Sequence, residues 1–157
     1  MVITGPDLTQ SSPRSPRVRL GGFVILPRLL DKGRATIAAK NGSYNFNCPM
    51  DRRFFDYVGI NANTLMNQLA CGKSDGAVLG WIQKTASQKR NPQEIAGWSL
   101  LEEQRAPLDV ESRKYFNDIH LQAAPHRLDI MTWFELLDLD DYVTFGGNAC
   151  PRIGARP

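Results

Sequence analysis

Proline, glycine and asparagine interrupt this chain so often that no regular element in it can run long. Breaks fall at Pro27, Asn41-Gly42, Pro49, Gly59, Gly72, Pro92, Pro107 and Pro125. Between them, apolar residues recur three and four positions apart, the period of a helix lying against a core. The expectation is a mainly α fold: a single compact domain of about six or seven helices, one short extended segment and an extended N-terminal arm.

The individual segments support this. Pro27 suits the first turn of a helix. Leu26, Leu29, Leu30, Gly33 and Ile37 then share one face, and Asn41-Gly42 is the stop. Arg28, Lys32 and Arg34 fall towards the other side, where a charged face is expected to be solvated. "SYNFNC" alternates Tyr44 and Phe46 with polar residues and reads as a short strand or extended segment. No second clear strand follows it.

Cys48-Pro49 opens a short helix that ends near Val58-Gly59. "NANTLMNQLACG" turns Leu65, Met66 and Leu69 inward and stops at Gly72. A helix from Ser74 or Asp75 buries Val78, Trp81 and Ile82. Asn91, Pro92 and Glu94 form a capping-box-like start for a helix with Ile95, Trp98 and Leu101 on its face. Asp109 starts another, with Tyr115, Phe116 and Ile119, ending at Pro125. The last runs from about Asp129 to Asp141 and lines up Ile130, Phe134 and Leu137, with Trp133 alongside.

"SSPRSPRVR" cannot be helical, because each proline holds the residue before it extended. It reads as a polyproline-II-like arm projecting Arg14, Arg17 and Arg19. Such an arm is either a solvated leader or lies on an acidic surface, its own or a partner's. The expected organisation is an extended basic arm over 1–19, a helical domain over 20–147 and a C-terminal tail over 148–157.

A 157-residue chain, 42% hydrophobic and 22% charged, has the composition of an ordinary globule with one core. The start lacks a basic segment followed by an apolar run, so no secretory signal is expected. "GGFVILP" is too short to span a membrane, and a cytoplasmic location is the default. Cys48, Cys71 and Cys150 form no C-x-x-C pair, and with two histidines neither a disulfide framework nor a metal or other cofactor is expected. The net charge of +3 is uneven: residues 1–40 carry +5, 41–100 carry +2 and 101–157 carry −4. A basic front and acidic rear can steer a partner or pair within the fold. Neither is basic enough to demand nucleic acid.

Cys48 is the first chemical candidate. At a helix start, free N–H groups and the helix dipole favour a thiolate, Arg52 and Arg53 add to this, and Asp51 opposes it. A nucleophile also needs a base, and the imidazoles of His120 and His126 lie far along the chain. The alternative is a small packing residue at a turn. His120 sits beside an apolar face, either hydrogen-bonded in place or acting as a base. The two histidines diverge by about 240° on a helix and are no metal pair. Asp138, Asp140 and Asp141 lack the glycine and terminal glutamate of a calcium loop. Negative charge at a helix C-terminus is unfavourable, so internal salt bridges or a docking patch are the readings. "FGGNA" has paired glycines but neither the lysine nor the helix of a phosphate loop.

Three stretches taken together, "PRSPRVRLGGFVILPRLLDKGRATIA", "YNFNCPMDRRFFDYVGI" and "WFELLDLDDYVTFGG", resemble a bacterial family of small cytosolic proteins, domain of unknown function 5069. The resemblance implies no catalytic role for any residue. It groups Arg14 and Arg17, Asp31 with Lys32 and Arg34, Cys48 with Asp51, and Asp138 to Asp141 as polar blocks that would form one site if they met.

Three functions remain open. The first is a binding or interaction protein, an accessory subunit that docks a protein partner, or holds a small anion, through its arm and acidic rear. The second is a small enzyme using Cys48, with Asp51 and Arg34 or Arg52 shaping its pocket. The third is weak nucleic-acid binding, which would be steeply salt-dependent. The oligomeric state is not legible.

Overall fold

The computed structural model describes residues 4–147. Seven helices lie among them: α1 Leu26–Ile37, α2 Pro49–Val58, α3 Ala62–Ala70, α4 Asp75–Thr85, α5 Pro92–Gln104, α6 Val110–Ala123 and α7 Trp133–Thr144. The described residues contain no β-strand, so the protein is mainly α. The expected tail over 148–157, with Cys150, lies outside the described residues.

The helices end where local chemistry ends them. Asn61 accepts the N–H groups of Asn63 and Thr64 at the start of α3. Thr132 and Glu135 cap α7 reciprocally, as Asp109 and Ser112 cap α6. Gly59 closes α2 in the left-handed region at φ 67°.

The chain divides into two units, residues 1–102 and 103–157. In the first, α1 packs on α2 and α3, and α3 on α4. Its core includes Phe23, Leu26, Leu29, Leu30, Phe54, Leu65, Leu69, Val78 and Ile82. Phe23 meets Phe54 edge-on at 5.4 Å between ring centres.

The arm belongs to this core. Leu8, Pro13 and Pro16 are buried, Leu8 N–H donates to the Lys40 carbonyl (2.8 Å) and Ile25 N–H to that of Pro16 (2.9 Å). A tight turn then reverses the chain. Leu20 and Phe23 exchange both main-chain hydrogen bonds, and the residues between them, Gly21 and Gly22, have φ of 60° and 86°. Glycine meets that requirement at no steric cost. Ile25, next along, is β-branched with φ 69°, an outlier for such a residue, and is fully buried.

Two expectations change here. "SYNFNC" is a pair of turns with Asn47 at φ 62°, not a strand. A lone extended segment has no ladder partner to hold it. The charged side of α1 is not solvated either: Arg28 and Lys32 are each 4% exposed, because residues 44–51 cover that side.

In the second unit α6 packs on α7. Phe116, Ala124, Ile130, Leu136 and Leu139 form its core, with Ile119 and Trp133 against it. Tyr115, expected inside, is exposed, as is Leu101 on α5. Ser99 and Glu102 are buried on α5 instead. Ser99 Oγ–H donates to the Gly22 carbonyl (2.8 Å) and accepts from Val24 N–H (3.2 Å). Glu102 takes a two-pronged bond from Arg53.

Candidate functional site

Helix α1 carries two polar clusters in the first unit. The first joins the arm to α1 and α4. The Arg14 guanidinium grips Asp31 through Nε (2.9 Å) and Nη2 (2.7 Å) and reaches Asp75 through Nη1 (2.7 Å). Arg34 Nη1 meets the other oxygen of Asp75 (2.6 Å), and its Nη2 donates to the Lys73 carbonyl (3.0 Å). Asp75 thus stands between two guanidiniums, and Arg14 holds Asp31 in the forked geometry that makes such pairs strong. Burial alone would raise the Asp75 carboxyl, but the hydrogen bonds and charges of Arg14 and Arg34 outweigh it and hold it below the usual carboxylate range. The bonds it donates to Asp31 and Asp75 push the Arg14 guanidinium upward, against its partial desolvation. Gly5 lies so close that a Cβ there would come within 2.6 Å of the Arg34 carbonyl.

The second cluster lies between α1 and the start of α2. Lys32 Nζ is 2.8 Å from both oxygens of Asp51, 3.1 Å from the Asn45 carbonyl and 3.3 Å from Cys48 Sγ. The Lys32 and Asp51 side chains are 5% and 1% exposed. Cys48 is the N-cap of α2, and its N–H donates back to Asp51 (3.4 Å). Asp51 therefore has two local roles, as counter-ion of a buried ammonium and as capping carboxylate. Cys48 is half-buried. Its sulfur faces an ammonium donor and the amides of a helix start, where an anionic group is stabilised.

The other expected residues lie elsewhere. Arg17 and Arg52 are exposed, and Arg52 donates to the Asn47 carbonyl (3.2 Å). Arg53 is bound to Glu102, which raises its guanidinium. His120 is in the second unit, where its Nε2 lies 2.7 Å from the Arg127 carbonyl. A carbonyl only accepts, so that nitrogen carries the proton. Asp138, Asp140 and Asp141 are all on α7: half-buried, exposed and buried in that order. Within the first unit, then, the structure brings Arg14 together with Arg34, and Lys32 with Cys48 and Asp51.

A family model described as a domain of unknown function, DUF5069, matches residues 10–143. The chain belongs to that family. The match takes in both clusters, α7 as far as Val143 and residues 10–19 of the arm. Among curated proteins no match was found.

Helical periodicity left a further surface unread. In the second unit Leu108, Val110 and Leu128 are 90%, 88% and 82% exposed, and Leu121 and Met131 are exposed as well. Val110 and Leu121 lie about three turns apart on one face of α6. Asp109, Glu111 and Asp118 are exposed on the same stretch. The available signal was the position of Leu108 and Leu128 between helices, where no core face is due. No helix among the described residues is long and apolar enough to cross a membrane.

Proposed function

We propose that this protein is an interaction module, an accessory chain that docks on a protein partner through its second unit. The observation that carries the reading is the concentration of exposed large apolar side chains there, more than singly scattered surface residues would give. Charge supports it. Residues 103–157 hold six Lys/Arg against nine Asp/Glu, whereas residues 1–102 hold thirteen against seven. The partner surface that fits is apolar with basic neighbours. The basic arm serves this reading indirectly, since its Arg14 is committed to Asp31 and Asp75 and holds the first unit together.

In-cell cross-linking of the full chain tests it. Lys114 is exposed on α6 and should give links to another protein. The double variant Leu108→Glu/Leu128→Glu, with unchanged circular dichroism and melting, should lose them. Links that persist unchanged in that variant refute the docking surface. Links only between copies of this chain, with a doubled mass in solution, would make the partner a second copy.

A second reading is favoured by the 3.3 Å contact between Lys32 Nζ and Cys48 Sγ: an enzyme with Cys48 as nucleophile. It requires Cys48 to be alkylated by iodoacetamide faster than the exposed Cys71. Equal or slower modification of Cys48 removes it.

A further inference from the structure

The connection from α4 to α5 is tied down along its length and holds two cations that form no ion pair among the described residues. Ser87 N–H and Oγ–H donate to the Gly59 carbonyl (3.3 and 3.0 Å) and Gln88 N–H to that of Val58 (3.1 Å). Lys89 Nζ donates to the Gln83 and Lys84 carbonyls at the end of α4 (2.7 and 2.9 Å). Arg90 donates through Nε and Nη2 to the Tyr57 carbonyl (both 3.1 Å). Its guanidinium lies 4.4 Å from the centre of the Tyr57 ring, which in turn stacks on Trp98 at 4.7 Å. Elsewhere in this unit Arg14, Lys32, Arg34 and Arg53 each meet a carboxylate. Among the described residues neither Lys89 nor Arg90 does. Their positions are set by main-chain carbonyls and a ring, and each keeps N–H groups that these bonds do not use.

Both cations line a cavity of about 100 Å³. Its other walls include Phe23, Val58, Ile82 and Ile95, all buried. A largely apolar hollow lined by two cationic residues that form no ion pair favours a ligand with an apolar body and an anionic end. Volume limits the body, since an apolar cavity of roughly 150 Å³ accepts benzene.

We propose that this cavity binds a small branched carboxylate of about four or five carbons, its body on Phe23, Ile82 and Ile95 and its carboxylate on Arg90 and Lys89. The cations are already held in place, so binding loses little side-chain freedom. The bound carboxylate supplies the direct ion-pair partner that neither cation has among the described residues.

The test is a nuclear magnetic resonance titration of the isotope-labelled full chain with isovalerate, neutral isovaleramide and acetate. Isovalerate should shift the amides of residues 86–91 together with those of Phe23 and Ile95. Isovaleramide, lacking the charge, and acetate, lacking the body, should each bind at least about tenfold more weakly. Lys89→Gln and Arg90→Gln should each weaken isovalerate binding. Equal affinity for the three probes, shifts confined to other residues, or unchanged affinity in both variants would overturn the site. So would the absence of saturable shifts with isovalerate. Arg90→Gln also loses the bonds to Tyr57; if it unfolds, Lys89→Gln and the three-probe comparison decide.

Discussion

Replacing Asp51 with alanine is the most informative single perturbation. Lys32 is 4% exposed and its ammonium lies 2.8 Å from both Asp51 oxygens. Its remaining partners, the Asn45 carbonyl and the Cys48 thiol, offer no carboxylate. Asp51→Ala therefore strands a buried charge, which costs about 3–5 kcal/mol. Loss of the capping bond to Cys48 N–H lies within that range. For a chain of this size about 1 kcal/mol corresponds to roughly 2–4 °C, so the melting temperature should fall by roughly 6–20 °C. Removing both charges has a different outcome. Lys32→Met/Asp51→Leu leaves no stranded group and should regain most of the loss, because well-packed apolar replacements of buried ion pairs are often neutral or better. Urea denaturation of the wild type, both single variants and the double variant gives the coupling energy directly. Hydrogen exchange of α1 and α2 amides locates the effect. A loss under about 1 kcal/mol for Asp51→Ala, or a double variant as unstable as the single, would refute the account of Lys32 as a buried ammonium dependent on Asp51.

Other measurements probe other parts of the molecule. Asp75 titrates below its ordinary value of 3.8 when folded, so its contribution is present above that value and is lost as pH falls through the lower, folded value. In Asp75→Asn the decline of the urea midpoint below pH 4 should be shallower than in wild type; parallel curves would contradict the network with Arg14 and Arg34. Asp129 is held down to about 2, first by its hydrogen bond from Arg127, and its carboxyl carbon should titrate there. Arg127→Ala should raise it towards its ordinary value of 3.8, and a titration already at that value in the wild type counts against the pair. Gly59→Ala puts a side chain at φ 67° and against Ser87 Oγ, so it should cost more than the about 1–2 kcal/mol of the backbone alone. A neutral effect in thermal melts would mean that the turn relaxes.

Much of the fold was legible in the sequence because helix ends are local. Pro49, Gly59, Asn61 and Asp109 act on neighbours a few residues away, and each marks an end or cap in the structure, whereas the last helix starts at Trp133 behind its cap Thr132 rather than at Asp129. Which side of a helix is buried was less legible. The spacing of Leu26, Leu29 and Leu30 identified one buried side of α1, but Lys32 on the other is covered by a loop and by Asp51, 19 residues on. Leu101 was expected on the core face of α5 and is exposed, while its neighbour Glu102 is buried. The cause is that Arg53 and Gly22 meet the other side of α5. "SYNFNC" had the alternation of a strand and lacked the neighbour that makes one.

The sequence by itself determined a mainly α chain and the approximate positions of its helices. These rest on dihedral preference, capping and periodicity, all of which act over one or two turns. Only the tertiary structure decided which charges are buried and which apolar side chains are left outside. Those outcomes depend on what segments far apart in sequence bring to one place: Arg14 to Asp75, Lys32 to Asp51 and Cys48, Arg53 to Glu102. A charge is tolerated inside only when a partner is delivered to it, and no local pattern encodes that delivery.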